Sequence, residues 1–437
     1  MINFDQRIGP DLGTAAPTYP APGAPDWWRD AKLGFFIHWG LYSLPAWATV
    51  HPEGGVPAEE AYAHHQYAEW YGNTVRITGS PTWQRHQRVY GTGTSYEDLA
   101  DHWNVGRFDA DALVARIVDA GARYVIPTTK HHDGFCLWDT ATTGFNAVRR
   151  GPGRDLIGEL HDATRRRDTR FGVYFSGALD WHTSDFGPIE SDTDLFRFRR
   201  NDVAFARYAA AQVGELVDRF APDVLWNDIE WPDGGKGAHD FGVAALLRRY
   251  LARVPDGVVN DRWGVPFHGF LTREYTRIDD IIAEPWEATR GLGFSFGYNQ
   301  DESEEESLSG AELIRLLVDV VSKNGNLLIN VGPRADGSIP GVQAAAMAHL
   351  GAWLRTNGEA IYATRTWDRF GEPSGPPVRY TRRGSTVYLH LLDPTVGEVR
   401  VPSELADRPL RWLGAQGHGS TVPDRLRGEP VAVAAIG

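Results

Sequence analysis

A short apolar segment that ends in polar side chains is the first place in this sequence that could carry chemistry. Residues 223–226 (DVLW) follow a proline and lead directly into Asn227 and Asp228. This pattern predicts a buried parallel strand whose C-terminal end presents a carboxylate. In a barrel, catalytic groups lie at such strand ends, and the rings of Trp226 and Trp231 beside Asp228 suit a sugar. For a single Asp, a helix N-cap or a turn is the alternative.

Further polar side chains follow other predicted strands or lie in an insertion after the first strand. They are His38, Glu69, His131, His132, Tyr174, Arg262, Glu284 and Glu287. Retaining glycoside hydrolysis needs two carboxyl groups about 5 Å apart, one as nucleophile and one as proton donor. Imidazole and guanidinium groups would hydrogen-bond the sugar hydroxyls, and Trp226 or Trp286 would form an apolar wall. The set is sufficient for this chemistry, although each His and Glu69 taken singly also fits a structural role.

The same His and Asp residues could instead bind a metal ion. His131 and His132 are adjacent on a predicted strand and would point to opposite faces, which makes joint ligation of one ion awkward. No H-E-x-x-H or comparable spacing occurs in the sequence. A G-x-G-x-x-G fingerprint that opens a helix after a strand is also missing from the sequence. We therefore expect no metal and no cofactor.

The elements that would position these residues alternate between strand and helix. Strand patterns occur at 33–37, 123–129, 170–176, 223–228, 258–263, 281–283 and 326–331. Helix patterns occur at 109–120, 155–167, 191–220, 241–254, 309–323 and 342–357, the fifth with a capping box of Ser309 and Glu312. Strands separated by helices in this way favour an α/β fold, a (β/α)₈-like TIM barrel, over an open doubly wound sheet. An eighth strand is not evident.

The pattern changes near residue 360. Residues 361–437 lose helical periodicity and contain short β-rich runs, such as 386–392, between Gly and Pro turns. This predicts two domains. A catalytic barrel with an N-terminal extension would occupy residues 1–360, and a small C-terminal β-sandwich would occupy residues 361–437.

Charge and composition restrict the partners of the protein. The 437 residues carry a formal net charge of −13, which argues against nucleic acids and anionic membrane surfaces. No stretch approaches the roughly 18 apolar residues of a membrane span. No signal peptide is visible at the N-terminus, and the single cysteine, Cys136, excludes an internal disulfide, so we expect a cytoplasmic protein. Whether the chain forms a homo-oligomer is left open.

Several motifs together resemble the α-L-fucosidases of glycoside hydrolase family 29. The matching segments are WRDAKLGFFIHWGLYSLPAW (28–47), KHHDGFCLWD (130–139), GVYFSGALDWH (172–182), LWND (225–228), WEATRGLGFSFGYN (286–299) and NGNLLINVGPRADG (324–337). They follow the order of the family across residues 27–367. The motifs IHWG, KHHDGF and NGNLLINVGP taken together are specific to it.

The resemblance implies a barrel with a C-terminal β-sandwich and an exo-acting, retaining hydrolase of terminal α-L-fucose in oligosaccharides or glycoconjugates, without a cofactor. It implies Asp228 as the nucleophile and Glu287 as the acid/base, with Glu69 and Glu284 as alternatives for the second role. Around the fucose it implies His38, Glu69, Trp70, His131, His132, Tyr174, Trp226 and Arg262.

Two other functions stay open on the sequence. A fucose-binding protein without catalysis is the first, although it would not need a carboxylate pair such as Asp228 and Glu287. A retaining glycosidase that acts on a galactoside is the second, because a galactoside presents similar hydroxyl stereochemistry and differs at C5.

Overall fold

The computed structural model describes residues 17–20, 23–51, 55–417 and 419–437. The predicted N-terminal extension therefore lies in large part outside the described residues. Within these ranges no helix is long and apolar enough to cross a membrane.

Eight strands surrounded by helices form the larger, N-terminal part of the described structure. The strands are β1 (Leu33–Ile37), β2 (Tyr124–Lys130), β3 (Arg170–Ser176), β4 (Val224–Asp228), β5 (Val258–Val259), β6 (Leu271–Glu274), β7 (Trp286–Gly291) and β8 (Gly325–Val331). The helices are α1 (Asp26–Ala31), α2 (Tyr71–Thr74), α3 (Pro81–Tyr90), α4 (Ala110–Asp119), α5 (Leu156–Arg165), α6 (Asp192–Arg197), α7 (Val203–Phe220), α8 (Val243–Arg253), α9 (Gly310–Ser322) and α10 (Gly341–Asn357).

The eight strands form one parallel sheet that curls into a barrel. Their hydrogen-bonded order is β5-β4-β3-β2-β1-β8-β7-β6. An isolated parallel bridge between Asn260 and Phe270 joins the two ends of this order, just beyond β5 and just before β6. The predicted (β/α)₈-like barrel is thereby confirmed.

Two details of the predicted element order are wrong. Residues 281–283 form no strand; the chain instead has β6 and β7 on either side of this segment. The four-residue β6 is the eighth strand that was not evident. The helix predicted over 191–220 is divided into α6 and α7. A new helix begins after Asp202, because the side chain of this N-cap residue accepts the N–H of Phe205 at 2.8 Å.

Side chains along each barrel strand point alternately into and out of the barrel. This alternation determines which of them lie inside the barrel at the C-terminal ends of the strands, here called its upper end. Large inward-facing side chains fill the middle of the barrel, among them Phe36, Tyr124, Ile126, Tyr174, Trp226 and Leu328. Because the side-chain period of a strand is two, the next inward positions after Phe36, Trp226 and Leu328 are His38, Asp228 and Asn330. These polar groups therefore lie on top of a packed apolar layer, at the C-terminal ends of the strands.

The C-terminal region forms a second, antiparallel sheet. Its strands are β9 (Arg365–Thr366), β10 (Val378–Arg383), β11 (Thr386–Leu391), β12 (Leu410–Trp412) and β13 (Ala432–Ile436), in the order β12-β13-β11-β10-β9. Leu389 faces a separate core under the C-terminal loops, whereas Tyr388 faces the barrel. Trp353 of α10 donates its indole N–H to the carbonyl of Val431 at 2.9 Å. In the described residues the predicted β-domain is thus one five-stranded sheet that packs on barrel helices.

Candidate active site

Asp228 is the last residue of β4, and its carboxylate lies at the centre of a hydrogen-bonded group. Tyr174 donates its hydroxyl to Oδ2 at 2.8 Å, and Arg262 donates from Nη1 to Oδ1 at 3.0 Å. The backbone N–H of Ile229 also donates to Oδ1, at 2.9 Å. Nε2 of His132 lies 3.9 Å from Oδ2. Neighbouring strands thus fix the carboxylate in one orientation.

The environment of Asp228 favours its ionised form. Burial alone would raise the pKa of this carboxyl, but Arg262 and the hydroxyl of Tyr174 stabilise the charge and hold the pKa below its ordinary value. The residue keeps 8% of its surface exposed. An anionic, oriented and accessible carboxylate is what nucleophilic catalysis requires.

His38 and His132 each present a hydrogen-bond acceptor to the same space. Asn330 Oδ1 lies 2.7 Å from His38 Nδ1, and Ser176 Oγ lies 2.7 Å from His132 Nδ1. Ser176 donates its own proton to the carbonyl of Leu179, so His132 must donate from Nδ1. Burial lowers the pKa of His38 to about 3 and that of His132 to about 4, so both rings are neutral. Each Nε2 is therefore an acceptor, suited to a hydroxyl donor.

His131 lies between these two rings. It stacks on Tyr174 with ring centroids 5.4 Å apart, and its centroid is 4.1 Å from that of His132 and 5.7 Å from that of His38. Its Nδ1 has no hydrogen-bond partner among the described residues. In the same ranges no group of three or more His, Cys, Asp or Glu side chains is arranged to hold a metal ion. The imidazole of His131 is thus free to hydrogen-bond a ligand.

Aromatic rings form the side walls of the site. Trp70 stacks on His65 with centroids 4.7 Å apart and presents an edge to His132 at 5.4 Å. On the other side, the ring of Phe296 lies 4.9 Å from that of His38. Phe296 was not among the predicted residues, and it brings an apolar face to the same space.

Glu69 joins the insertion after β1 to the loop after β7. Its Oε2 accepts the backbone N–H of Gly297 at 2.8 Å and the hydroxyl of Ser295 at 3.1 Å. Burial raises the pKa of Glu69 to about 7, although both of these hydrogen bonds oppose the rise. The carboxyl therefore ties the insertion that carries Trp70 to the loop after β7.

Glu287 lies in the barrel interior and not at its upper end. Tyr124 donates its hydroxyl to Oε2 at 2.5 Å, and Trp226 donates its indole N–H to Oε1 at 3.2 Å. Glu287 precedes Gly291, the last residue of β7, by four positions, so it lies roughly 13 Å below that strand end. Its carboxyl is fully buried at the N–H edge of the Trp226 ring.

Trp286 and Glu284 also lie toward the N-terminal end of the barrel. Trp286 points outward from β7 and donates its indole N–H to the carbonyl of Lys323 at 2.9 Å. Glu284 is half exposed and pairs with His268 at 2.9 Å. The structure thus brings neither Glu284, Trp286 nor Glu287 to Asp228. The sequence prediction placed them there because a strand was expected to end, and not to begin, near residue 284.

The carboxylate that does approach Asp228 was missed in the sequence. Glu274 is the last residue of β6, and its Oε2 accepts a hydrogen bond from Arg262 Nη2 at 2.7 Å, while Nη1 of the same guanidinium binds Asp228. Tyr67 donates its hydroxyl to Oε1 of Glu274 at 3.1 Å. Two carboxylates that share one guanidinium are close enough for the roughly 5 Å separation of a retaining pair. The sequence feature that could have identified Glu274 is the short segment LTRE (271–274). It ends in a carboxylate, as the strand segment 224–228 does.

Several known proteins are similar to this chain in sequence and structure. The family model described as Alpha-L-fucosidase matches residues 18–359. The human tissue alpha-L-fucosidase is 32% identical, over 96% of this chain and 87% of the human protein. The crystal structure of Thermotoga maritima alpha-fucosidase is 42% identical with a TM-score of 0.85, and the match covers 95% of this chain and 97% of that one. A Thermotoga maritima alpha-L-fucosynthase in complex with alpha-L-Fuc-(1-2)-beta-L-Fuc-N3 has the same identity and coverage and a TM-score of 0.87.

We predict that Glu287→Gln makes the stability of the protein less dependent on pH. Burial raises the pKa of Glu287 to about 8, against the opposing hydrogen bonds of Tyr124 and Trp226. In the unfolded chain the pKa is about 4.3. Between these values the folded state keeps a proton that the unfolded state has lost. This carboxyl therefore makes wild-type stability fall with rising pH, by up to roughly 1.4 kcal/mol per pH unit.

Urea unfolding of both proteins between about pH 5 and about pH 8 measures the effect. The free energy of unfolding of the variant should rise relative to wild type as the pH increases. Glu284→Gln, at an exposed carboxyl, should show no such trend. A constant difference between Glu287→Gln and wild type across the range would contradict the assignment of a buried, protonated carboxyl.

Proposed function

The chain belongs to the α-L-fucosidase family of glycoside hydrolases, and on this premise we propose which residues carry out its reaction, the release of terminal α-L-fucose from a fucosylated substrate. The observation that carries the proposal is the pair of carboxylates, Asp228 and Glu274, bound to the one guanidinium of Arg262. The pair and the family favour this function over fucose binding without catalysis and over a galactoside-specific glycosidase.

Asp228 is the proposed nucleophile. Its carboxylate attacks the anomeric carbon and forms a covalent fucosyl-enzyme. Arg262 and Tyr174 hold the attacking carboxylate in place and keep it ionised. Tyr174 donates a hydrogen bond to Oδ2, and a carboxylate oxygen has a second lone pair that can form the bond to the anomeric carbon.

Glu274 is the proposed acid/base in place of Glu287. In the first step its protonated carboxyl gives a proton to the departing glycosidic oxygen, and in the second step it takes a proton from the attacking water. The side chain of Glu274 is 24% exposed, so it can exchange protons with solvent between the two steps. Glu287 is fully buried, and its carboxyl oxygens already accept hydrogen bonds from Tyr124 and Trp226. It can therefore neither reach the glycosidic oxygen nor exchange protons with solvent.

The remaining side chains are proposed to bind the sugar. The Nε2 atoms of His38 and His132 accept hydrogen bonds from fucose hydroxyls, and His131 adds a further hydrogen bond. Phe296 offers an apolar face to the C5 methyl group, which replaces a hydroxymethyl group in fucose. Trp70, which stacks on His65 and contacts His132, adds an aromatic wall to the sugar site.

We also propose that the protein acts in a reducing compartment, the cytoplasm. Its single cysteine, Cys136, is fully buried, and burial raises the pKa of its thiol well above the ordinary value, so the thiol stays protonated and unreactive. Immunoblots of fractionated cells should find the protein in the soluble cytoplasmic fraction. Recovery mainly from the medium or from an extracytoplasmic fraction would contradict this location.

We predict that Asp228→Ala and Glu274→Ala both lose turnover of 4-nitrophenyl α-L-fucoside, by several orders of magnitude for Asp228→Ala. Azide should rescue the two variants with opposite stereochemistry. In Asp228→Ala it displaces the leaving group directly and gives the β-fucosyl azide. In Glu274→Ala it replaces water in attack on the fucosyl-enzyme and gives the α-fucosyl azide. NMR of the products distinguishes the two anomers.

Glu287→Gln and Glu284→Gln are the matched controls for this experiment. Both remove a carboxylate from the same segment of sequence, and both should retain kcat within about tenfold of wild type, because neither group contacts the substrate. Near-normal activity of Glu274→Ala together with an α-azide product from a Glu287 variant would return the acid/base role to Glu287.

We predict that Arg262→Gln moves the acidic limb of the pH profile of kcat/KM to higher pH. After burial, which raises the pKa of Asp228, Arg262 is the largest influence on that pKa and lowers it. Without the cation, a higher pH is needed to ionise the nucleophile. Tyr174→Phe removes one hydrogen bond from the same carboxylate and should shift the limb in the same direction by less. An unchanged acidic limb in Arg262→Gln would show that this limb reports another group.

A further inference from the structure

A cleft between the barrel and the C-terminal sheet is lined by arginines. Its volume is about 590 Å³, which lies in the range of small-molecule sites. Its charged lining residues are Arg123, Arg355, Glu359, Arg383 and Arg411. Four arginines and one glutamate thus line this open cleft in a protein whose formal net charge is −13. Arg411 pairs with Glu359 at 2.8 Å, which leaves three cationic side chains in one concave space.

These three guanidinium groups lack anionic partners of their own. In the part of the chain that the structure describes, Arg123, Arg355 and Arg383 form no ion pair and donate no side-chain hydrogen bond. The Arg123 guanidinium lies over the ring of Tyr362, 4.1 Å from its centroid, and this contact leaves its N–H groups available. Like charges in one cleft repel each other unless an anion lies between them. The arrangement therefore favours an anionic ligand.

The three arginines come from three separate elements. Arg123 directly precedes β2, Arg355 lies in the last turn of α10, and Arg383 ends β10. On β10, Thr381 donates its hydroxyl to the carbonyl of Ala360, so the face that carries Thr381 and Arg383 is turned toward the barrel. The cleft thus lies at the N-terminal end of the barrel strands, opposite the end that carries the active site.

We propose that this arginine cleft binds a small ligand with at least two phosphate-like oxyanion groups. A planar guanidinium matches such groups with paired N–H donors, and three convergent arginines can engage more than one of them. Leu354, Leu413 and Tyr362 add apolar surface to the same cleft, which would accept a ring next to the oxyanions. Inorganic pyrophosphate and a nucleoside diphosphate share this chemistry.

Binding in this cleft joins the two domains. A ligand held by Arg123, Arg355 and Arg383 contacts the barrel, its last helix and the C-terminal sheet at once. Because the ligand binds the folded arrangement and not the unfolded chain, it raises the thermal unfolding temperature of the protein.

Calorimetric titration of the full chain with inorganic pyrophosphate at low ionic strength tests the proposal. We expect saturable binding of one pyrophosphate per chain and a higher unfolding temperature, with chloride at equal ionic strength as the reference. Arg383→Gln should weaken binding at least tenfold. Arg382→Gln is the matched control, because it is the next residue on the same strand and faces away from the cleft; it should bind like wild type. ADP in a second titration distinguishes the sources: tighter binding than pyrophosphate indicates a ligand with a ring.

Two results would overturn the proposal. One is the absence of saturable binding of either pyrophosphate or ADP to the wild-type protein. The other is equal weakening by Arg382→Gln and Arg383→Gln, which would mean that overall charge and not the cleft determines binding. Turnover of 4-nitrophenyl α-L-fucoside should be unchanged in both variants, which verifies that they are folded.

Discussion

The guanidinium of Arg262 is the interaction on which the upper end of the barrel depends. It binds Asp228 of β4 through Nη1 and Glu274 of β6 through Nη2, and its Nε donates to Thr272 Oγ1 at 3.0 Å. The guanidinium places the two carboxyl groups side by side and offsets the negative charge of Asp228. The same contacts link β4 to β6 across the part of the barrel with the least backbone pairing. There β5 has two residues, and a single bridge joins the chain beyond β5 to the residue before β6. Side-chain hydrogen bonds thus close the barrel where backbone pairing is sparse.

Backbone strain next to Asp228 is offset by the hydrogen bonds that it makes possible. Ile229 and Glu230, which follow Asp228, have φ angles of 54° and 58°, a left-handed conformation that costs roughly 1–2 kcal/mol per residue outside glycine. This turn directs the N–H of Ile229 onto Oδ1 of Asp228 and the carbonyl of Glu230 onto the N–H of Ala178, at 3.1 Å. The strain is stabilised by neighbouring contacts, and it adds a donor to the carboxylate that must stay ionised.

The sequence predicted the barrel and the position of Asp228 because both depend on local signals. Residues 224–228 are a buried apolar run with a polar end, and such a run has few alternatives to a parallel strand. Glu274 could not be found in this way, because β6 is short and half exposed and therefore lacks an apolar run. The misplacement of Glu287 has a related cause. Hydrophobic pattern shows that a residue belongs to a buried strand, but it does not show at which end of the barrel that residue lies.

Glu287 and Asp228 show how depth in one barrel determines what a carboxyl group does. Both point into the interior, but Asp228 lies at the strand ends with a cation beside it, and Glu287 lies deeper, at the N–H edge of Trp226, with neutral donors only. Burial therefore keeps Glu287 protonated at neutral pH, whereas Arg262 keeps Asp228 ionised. A buried indole N–H without an acceptor would cost roughly 1–3 kcal/mol. By accepting that N–H, Glu287 fixes the ring on which Tyr174 stacks, and Tyr174 in turn donates to Asp228. The deep carboxyl thus positions Asp228 through the rings of Trp226 and Tyr174.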